Sequence, residues 1–268
     1  MLKEIASVIS VLIVLYYVSS TFRYVAKFFI FGLLSVISAS IFIPLMLRKP
    51  RDPKNANLPA WGSRMTAKLL GVKYKIRGKE NICHDEGCVV LMNHQSAIDL
   101  FVLANLWKIM ERCTVIVKKA VFFIWPFGLG AWLWGTIYID RQNKESARSA
   151  VNKTSIAIKE RKAKILMFPE GTRHNGETLL PFKKGAFHVA LGAEAPILPV
   201  VTSRYYFIDH KNRRFDEGDV ILTILPPIPT KGKTTAELDA LIEDTRNRMV
   251  EVHRKTTEEV LAYARPIK

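Results

Sequence analysis

The chain opens on two long apolar stretches, and these limit its possible folds more than any other feature. Residues Ile5 to Phe22 carry no formal charge, and neither do Phe28 to Leu47. At about 1.5 Å rise per residue, a helix of either length crosses most of a ~30 Å hydrocarbon core. Two membrane-buried helices are the direct reading. For the first stretch the alternative is a cleaved signal peptide, with Lys3 as its basic end and Val18-Ser19-Ser20 as the small-residue cleavage site. Only Arg23 to Lys27 separate the stretches, which predicts either a tight hairpin or a pair of helices embedded from one face without full crossing. The basic, proline-broken segment Arg48-Lys49-Pro50-Arg51-Asp52-Pro53-Lys54 follows. The positive-inside rule places it, and the residues after it, on the cytosolic side. The expected organisation is a membrane anchor over 1–58, a globular domain over 59–232, and a C-terminal amphipathic helix over 233–268 packed on that domain.

Charge narrows the surroundings without choosing among them. With 40 Lys and Arg against 24 Asp and Glu, the net charge of +16 favours nucleic acid, phosphorylated metabolites or an anionic membrane face. Cys83, Cys88 and Cys113 have neither the number nor the spacing of a disulfide framework or a zinc ribbon. His84 beside Cys83 lacks two further ligands at suitable spacing, so no structural metal is expected.

Beyond residue 60, short β-rich runs alternate with segments of helical period. The runs are Cys88 to Met92, Thr114 to Val117, Thr136 to Ile139, Ile165 to Phe168, Ile197 to Val201 and Val220 to Leu225, and they predict an α/β sheet domain. Ala147, Ala150, Val151, Thr154 and Ile158 share one helical face. Leu238, Leu241, Ile242, Met249, Val252 and Val260 share another, on a long helix for which core packing is the commoner fate. The run Val121 to Trp134, VFFIWPFGLGAWLW, fits an acyl groove or a membrane interface, but a buried helix broken at Pro126 explains most of it.

Several signatures fail on inspection. Gly232-Lys233-Thr234 has Pro227 where a phosphate-binding loop needs its first glycine, and Gly128, Gly130 and Gly135 are misspaced for a dinucleotide fingerprint. No Gly-x-Ser-x-Gly elbow exists. The stretch NHQSAID, Asn93 to Asp99, does not fail. As a helix start it makes Ser96 the N-cap and puts Asp99 in the first turn, where a carboxylate suits the positive helix end. That leaves His94 unexplained. A separation of five puts two side chains about 140° apart on a continuous helix, so His94 meets Asp99 only from a loop that folds back. Asp99 then holds one imidazole nitrogen and leaves the other to take a proton from a hydroxyl. A second motif, Phe168-Pro169-Glu170-Gly171-Thr172-Arg173, ends an apolar strand with charged side chains, at the edge where open α/β sheets bind ligands.

Asn93-His94-x-Ser96-x-x-Asp99 and Phe168 to Arg173, in that order, resemble the glycerolipid acyltransferase family. Gly135-Thr136-Ile137-Tyr138-Ile139-Asp140-Arg141 looks like its second block and Ala195-Pro196-Ile197-Leu198-Pro199 like its fourth. With Leu180 to His188, the likeness is to the animal-type 1-acylglycerol-3-phosphate acyltransferases, over roughly residues 60 to 230. Two positions depart from the pattern: Ala120 stands where a glutamate is usual, and Ala195 where valine is. The resemblance implies a central mixed sheet flanked by helices. It implies transfer of an acyl group from acyl-coenzyme A, a co-substrate rather than a bound cofactor, to the 2-hydroxyl of lysophosphatidic acid. Catalysis falls to His94 and Asp99. Arg141 and Arg173 suit the acceptor phosphate, because a guanidinium fork matches its oxygens. Lys118 and Lys183 add charge toward that phosphate or coenzyme A, Glu170 contacts acceptor hydroxyls or fixes the arginine, Gly171 permits the turn, and Thr172 lies between them. The implied setting is the endoplasmic reticulum membrane, with the catalytic domain facing the cytosol and no nucleic acid as partner. The rivals are a family member using another lysophospholipid or glycerol 3-phosphate, and a non-enzymatic, membrane-tethered basic module.

Overall fold

Strand-forming runs that are apolar on both faces build the centre of the molecule. The computed structural model describes residues 1–139 and 144–264, with backbone alone at 144–151, 153 and 263. Helices α1 (Leu2–Val18), α2 (Ser20–Ser40), α3 (Ile43–Met46) and α4 (Asn57–Leu69) precede the sheet. Then come β1 (Val72–Arg77), β2 (Cys88–Met92), α5 (Asp99–Ile109), β3 (Cys113–Lys118), α6 (Phe127–Leu133), β4 (Ile137–Ile139), α7 (Lys144–Arg161) and β5 (Lys164–Met167). The chain continues through α8 (Gly185–Ala193), β6 (Ile197–Thr202), a small hairpin of β7 (Ile208–Asp209) and β8 (Arg214–Phe215), β9 (Gly218–Ile224) and α9 (Leu238–Tyr263). Seven strands form one mixed sheet in the order β1-β9-β6-β2-β5-β3-β4; neighbours are parallel except β6 and β9. All six expected strands are in it. The seventh, β1, alternates Val72, Tyr74 and Ile76 with Lys73, Lys75 and Arg77, the half-buried pattern of an edge strand.

Alternation sends Val90, Met92, Val115, Leu166 and Leu198 to one face of the sheet, against α4, α5 and α6. It sends Val89, Leu91, Ile116, Ile165 and Ile197 to the other, against Ile158 of α7, Phe187 of α8, and Leu241 and Met249 of α9. Helix α9 therefore packs on the domain. Each such side chain contributes about 1.5–3 kcal/mol by leaving water. Truncating the fully buried Leu166 to alanine removes about 2–5 kcal/mol.

The N-terminal helices differ from the expected hairpin in one respect. The chain breaks at Ser19, whose hydroxyl accepts the Phe22 amide, so Arg23 to Lys27 lie inside α2 instead of between helices. Their spacing explains this: Arg23 and Lys27 are one turn apart and face the same way. Arg23 donates to the Tyr16 carbonyl and lies 3.7 Å from Asp216, while Lys27 is buried, donates to the Leu70 carbonyl and stands over the Phe215 ring. The opposite side of α2 exposes Val25, Phe29, Leu33 and Ile37, four residues apart, and Ile41 at its C-cap continues the row. Helix α2 alone among the described helices is long and apolar enough to cross a membrane. Helix α1 buries none of its residues.

The run Val121 to Trp134 is divided in the structure. Gly128, Gly130, Ala131 and Leu133 of α6 are buried, as the core reading requires, whereas Phe123, Ile124 and Trp125 project from the surface.

Candidate active site

Strands β2, β3 and β5 run parallel and finish at one edge, so the residues after them converge. The register pairs Leu91 with Met167 and Val115 with Leu166. This brings His94, Lys118 and the Phe168 to Arg173 turn together.

Asp99 organises the loop. Its Oδ2 lies 2.6 Å from His94 Nδ1 and accepts the amides of Gln95 at 2.9 Å and Ser96 at 3.3 Å. Its Oδ1 accepts the Tyr205 hydroxyl at 2.7 Å. The expected cap is thus reversed: Ser96 does not cap α5, whose N-terminus has no side-chain cap, and the Asp99 carboxylate instead reaches back to the loop amides. Because a carboxylate only accepts, Nδ1 carries the hydrogen and Nε2 is left as the basic nitrogen. The imidazole also stacks on Phe168, with ring centroids 4.0 Å apart.

Tyr205 is a site residue that the motifs did not reveal. It is fully buried, and its backbone amide is held by Gln95 Oε1 and Asn175 Oδ1. Burial first, and then the neighbouring Asp99 charge, push its hydroxyl well above the ordinary tyrosine range. Both causes favour the protonated hydroxyl, which is the form that donates to Asp99.

Glu170 lies beneath the site. It is 2% exposed, and its two carboxylate oxygens accept the amides of His94 at 2.9 Å and Leu180 at 3.0 Å. Burial raises its pKa, and those amides oppose the rise. Its observed contacts clip the His94 loop to the 170–180 loop, a bond matched by the His174 amide donating to the His94 carbonyl. Gly171 has φ +70, a left-handed conformation that favours glycine, and a Cβ there would displace only the flexible end of the Lys183 side chain at 3.0 Å.

Two cavities share His94 as a wall. One is a cleft of about 450 Å³, lined also by Lys118, Phe168, Gly171, Thr172 and Arg173. Lys118 and Arg173 are exposed and form no ion pair among the described residues. The other is an apolar cavity of about 310 Å³ running under α2 and α5, lined by Phe31, Val36, Leu103, Trp107, Val115 and Phe127 among others. The structure thus brings His94, Asp99, Lys118, Gly171, Thr172 and Arg173 together, with Lys183 alongside Gly171. Arg141 lies outside the described residues. A roomier cavity of about 600 Å³, lined by Arg51, Arg112 and Arg161 and by Gly135 and Ile137 of the second block, opens at the opposite end of the strands and is lined by none of the candidate site residues. Among the described residues no three His, Cys, Asp or Glu side chains form a cluster able to hold a metal.

The chain is similar to known proteins. An acyltransferase family model matches residues 73–203. Human 1-acyl-sn-glycerol-3-phosphate acyltransferase alpha is 32% identical over 242 residues, covering 90% of this chain and 85% of that protein. The 1-acyl-sn-glycerol-3-phosphate acyltransferase of Saccharomyces cerevisiae is 36% identical over 186 residues, 68% of this chain and 60% of that protein. The crystal structure of the 1-acyl-sn-glycerophosphate acyltransferase PlsC from Thermotoga maritima superposes with a TM-score of 0.65 at 22% identity. It covers 86% of this chain and 97% of that one, and shows the same fold.

Proposed function

The chain belongs to the 1-acyl-sn-glycerol-3-phosphate acyltransferase family, and from that premise we propose that it moves a fatty acyl group from acyl-coenzyme A to the sn-2 hydroxyl of lysophosphatidic acid. The products are phosphatidic acid and coenzyme A. The observation that carries this reading is the position of His94, the common wall of a cationic cleft and an apolar cavity. A lipid with a phosphate at one end and acyl chains at the other asks for both.

In this mechanism His94 Nε2 takes the proton from the acceptor hydroxyl as its oxygen attacks the thioester carbonyl carbon. The new C–O bond forms, the C–S bond breaks, and the imidazolium returns the proton to the departing thiolate. Asp99 orients the ring and balances its transient charge. Such a base is worth about 10²- to 10⁴-fold in rate. Arg173 and Lys118 hold the phosphate, with Arg141 and Lys183 as further cations for it or for coenzyme A.

The setting of the reaction is a bilayer. Helix α1 exposes Val8, Ile9, Val11, Leu12, Ile13 and Val14, and the exposed tip Phe123 to Trp125 includes Ile124, which lines the apolar cavity together with Val121. Exposed apolar surface on this scale is covered by lipid. The basic segment Arg48 to Lys54 favours an anionic cytosolic face, which suits the endoplasmic reticulum membrane. The test is acyl transfer from oleoyl-coenzyme A by the purified protein in vesicles, with lysophosphatidic acid, lysophosphatidylcholine and glycerol 3-phosphate as competing acceptors. Lysophosphatidic acid is expected to give the highest kcat/KM. A higher value for either competitor would transfer the assignment to that acceptor, and no turnover with any would remove it.

A further inference from the structure

The proposed mechanism leaves one buried polar group at the site unused. Ser96 is 1% exposed, and its hydroxyl has no partner among the described residues. Its backbone is fixed on both sides: its amide donates to Asp99 Oδ2, and its carbonyl accepts the Asp99 amide at 3.2 Å. The same carboxylate oxygen that orients the His94 ring therefore also fixes the Ser96 Cα. The hydroxyl is free to turn, and the residue lines the apolar cavity that His94 shares. Ser35, Trp134 and Thr136 also leave unpartnered polar atoms on that cavity, but they belong to α2 and to the α6–β4 connection. Ser96 is the one of the four in the loop that carries the base.

An unpaired buried hydroxyl is costly to hold, and this one has its donor available to a group that arrives with the substrate. In direct acyl transfer, negative charge develops on the carbonyl oxygen when the acceptor oxygen adds to the carbonyl carbon. With the acyl chain in the apolar cavity and the attacking hydroxyl at His94, that carbonyl lies between the two, at the cavity end that Ser96 lines. We infer that Ser96 Oγ–H donates a hydrogen bond to the carbonyl oxygen of the acyl thioester and to the oxyanion that follows. This rests on the acyl-transfer reading above. The serine keeps its hydrogen throughout; no bond forms to Oγ, and the only proton that moves is the one passing through His94. In the water-poor cavity such a donor acts most strongly on the transition state, where the charge is largest.

The test compares Ser96→Ala, Ser96→Thr and His94→Ala in the full-length protein reconstituted in vesicles, with oleoyl-coenzyme A and lysophosphatidic acid. Ser96→Ala should lower kcat by about 10²- to 10³-fold, leave the KM for acyl-coenzyme A unchanged, and keep or raise the melting temperature, because it deletes an unsatisfied hydroxyl. Ser96→Thr, which retains the donor, should recover most of kcat. Wild-type kcat in Ser96→Ala overturns the inference, as does a loss of kcat that follows a drop in melting temperature. Acyl-serine detected by mass spectrometry at Ser96 overturns it as well, since that requires a nucleophile. If His94→Ala is inactive while Ser96→Ala is fully active, this inference alone fails; if His94→Ala turns over normally, the His94 mechanism fails, and if the native protein gives no turnover, the acyl-transfer reading itself fails.

Discussion

The loop after β2 and the turn after β5 end neighbouring strands and face the same cleft, yet they are built on opposite principles. Around Asp99, one carboxylate receives a ring nitrogen, two amides and a tyrosine hydroxyl, nearly all of it out of water. Around Arg173 and Lys118 the cations are exposed and unpaired among the described residues. The proposed base has a single geometry fixed by several bonds, while the cations proposed to hold the phosphate are long, exposed side chains with no ion pair among the described residues. The former should therefore fail steeply when altered, and the latter gradually.

The largest effect sharpens that contrast on the buried side. Asp99→Asn removes the acceptor that fixes the His94 tautomer, and kcat should fall about 10²- to 10⁴-fold with little change in acceptor KM. Steady-state kinetics on vesicles check this. On the exposed side, Arg173→Ala should raise the KM for lysophosphatidic acid by about 10- to 100-fold, the worth of a charge-assisted contact, with kcat nearly intact. If Arg173→Ala instead lowers kcat as far as Asp99→Asn does, the two loops are not distinct in kind.

A smaller effect tests whether Asp99 needs its fourth partner. Tyr205→Phe deletes the 2.7 Å bond and leaves the packing. Stability should drop by about 1–3 kcal/mol, as for a buried hydrogen bond to a charged group, and kcat by about tenfold, read from denaturant unfolding and kinetics together.

The last effect, on stability alone and not on kcat, comes from a pH-sensitive group outside the cleft. Buried His253 has its pKa lowered to about 4, first by burial and then by the Arg204 and His174 charges. An unfolded histidine titrates near 6.5. Its contribution to stability is complete above that value and is lost as pH falls toward 4, because the unfolded chain takes up the proton first. The loss is at most about 3 kcal/mol, and a melting temperature series from pH 7 to pH 4 should show it. His253→Gln should flatten the decline in that window.

Much of this was legible from the residues. Apolar runs such as Cys88 to Met92 are strands with both faces covered, and the fivefold spacing of His94 and Asp99 already required a loop that folds back. Strand β1 alternates Val72, Tyr74 and Ile76 with basic residues, but so short and charge-rich a run is a weak signal beside the apolar ones. Three features had no local signal. The bond from Tyr205 to Asp99 spans 106 positions, and nothing near Tyr205 marks its partner. In Ser96-x-x-Asp99 either end can cap, and the choice depends on the Gln95 and Ser96 amides being turned toward the carboxylate. The break at Ser19 was masked by the charges of Arg23 and Lys27, which suggest a loop until Asp216 and the Leu70 carbonyl are seen to receive them.

The central claim is that one imidazole, aimed by Asp99, draws the proton from a lipid hydroxyl. Its most direct test is the single-turnover rate of oleoyl transfer to lysophosphatidic acid, measured for the native protein and for His94→Ala in the same vesicles at equal folded concentration. The account predicts that the variant forms no phosphatidic acid above the uncatalysed background. A variant that forms it at the native rate would contradict the account.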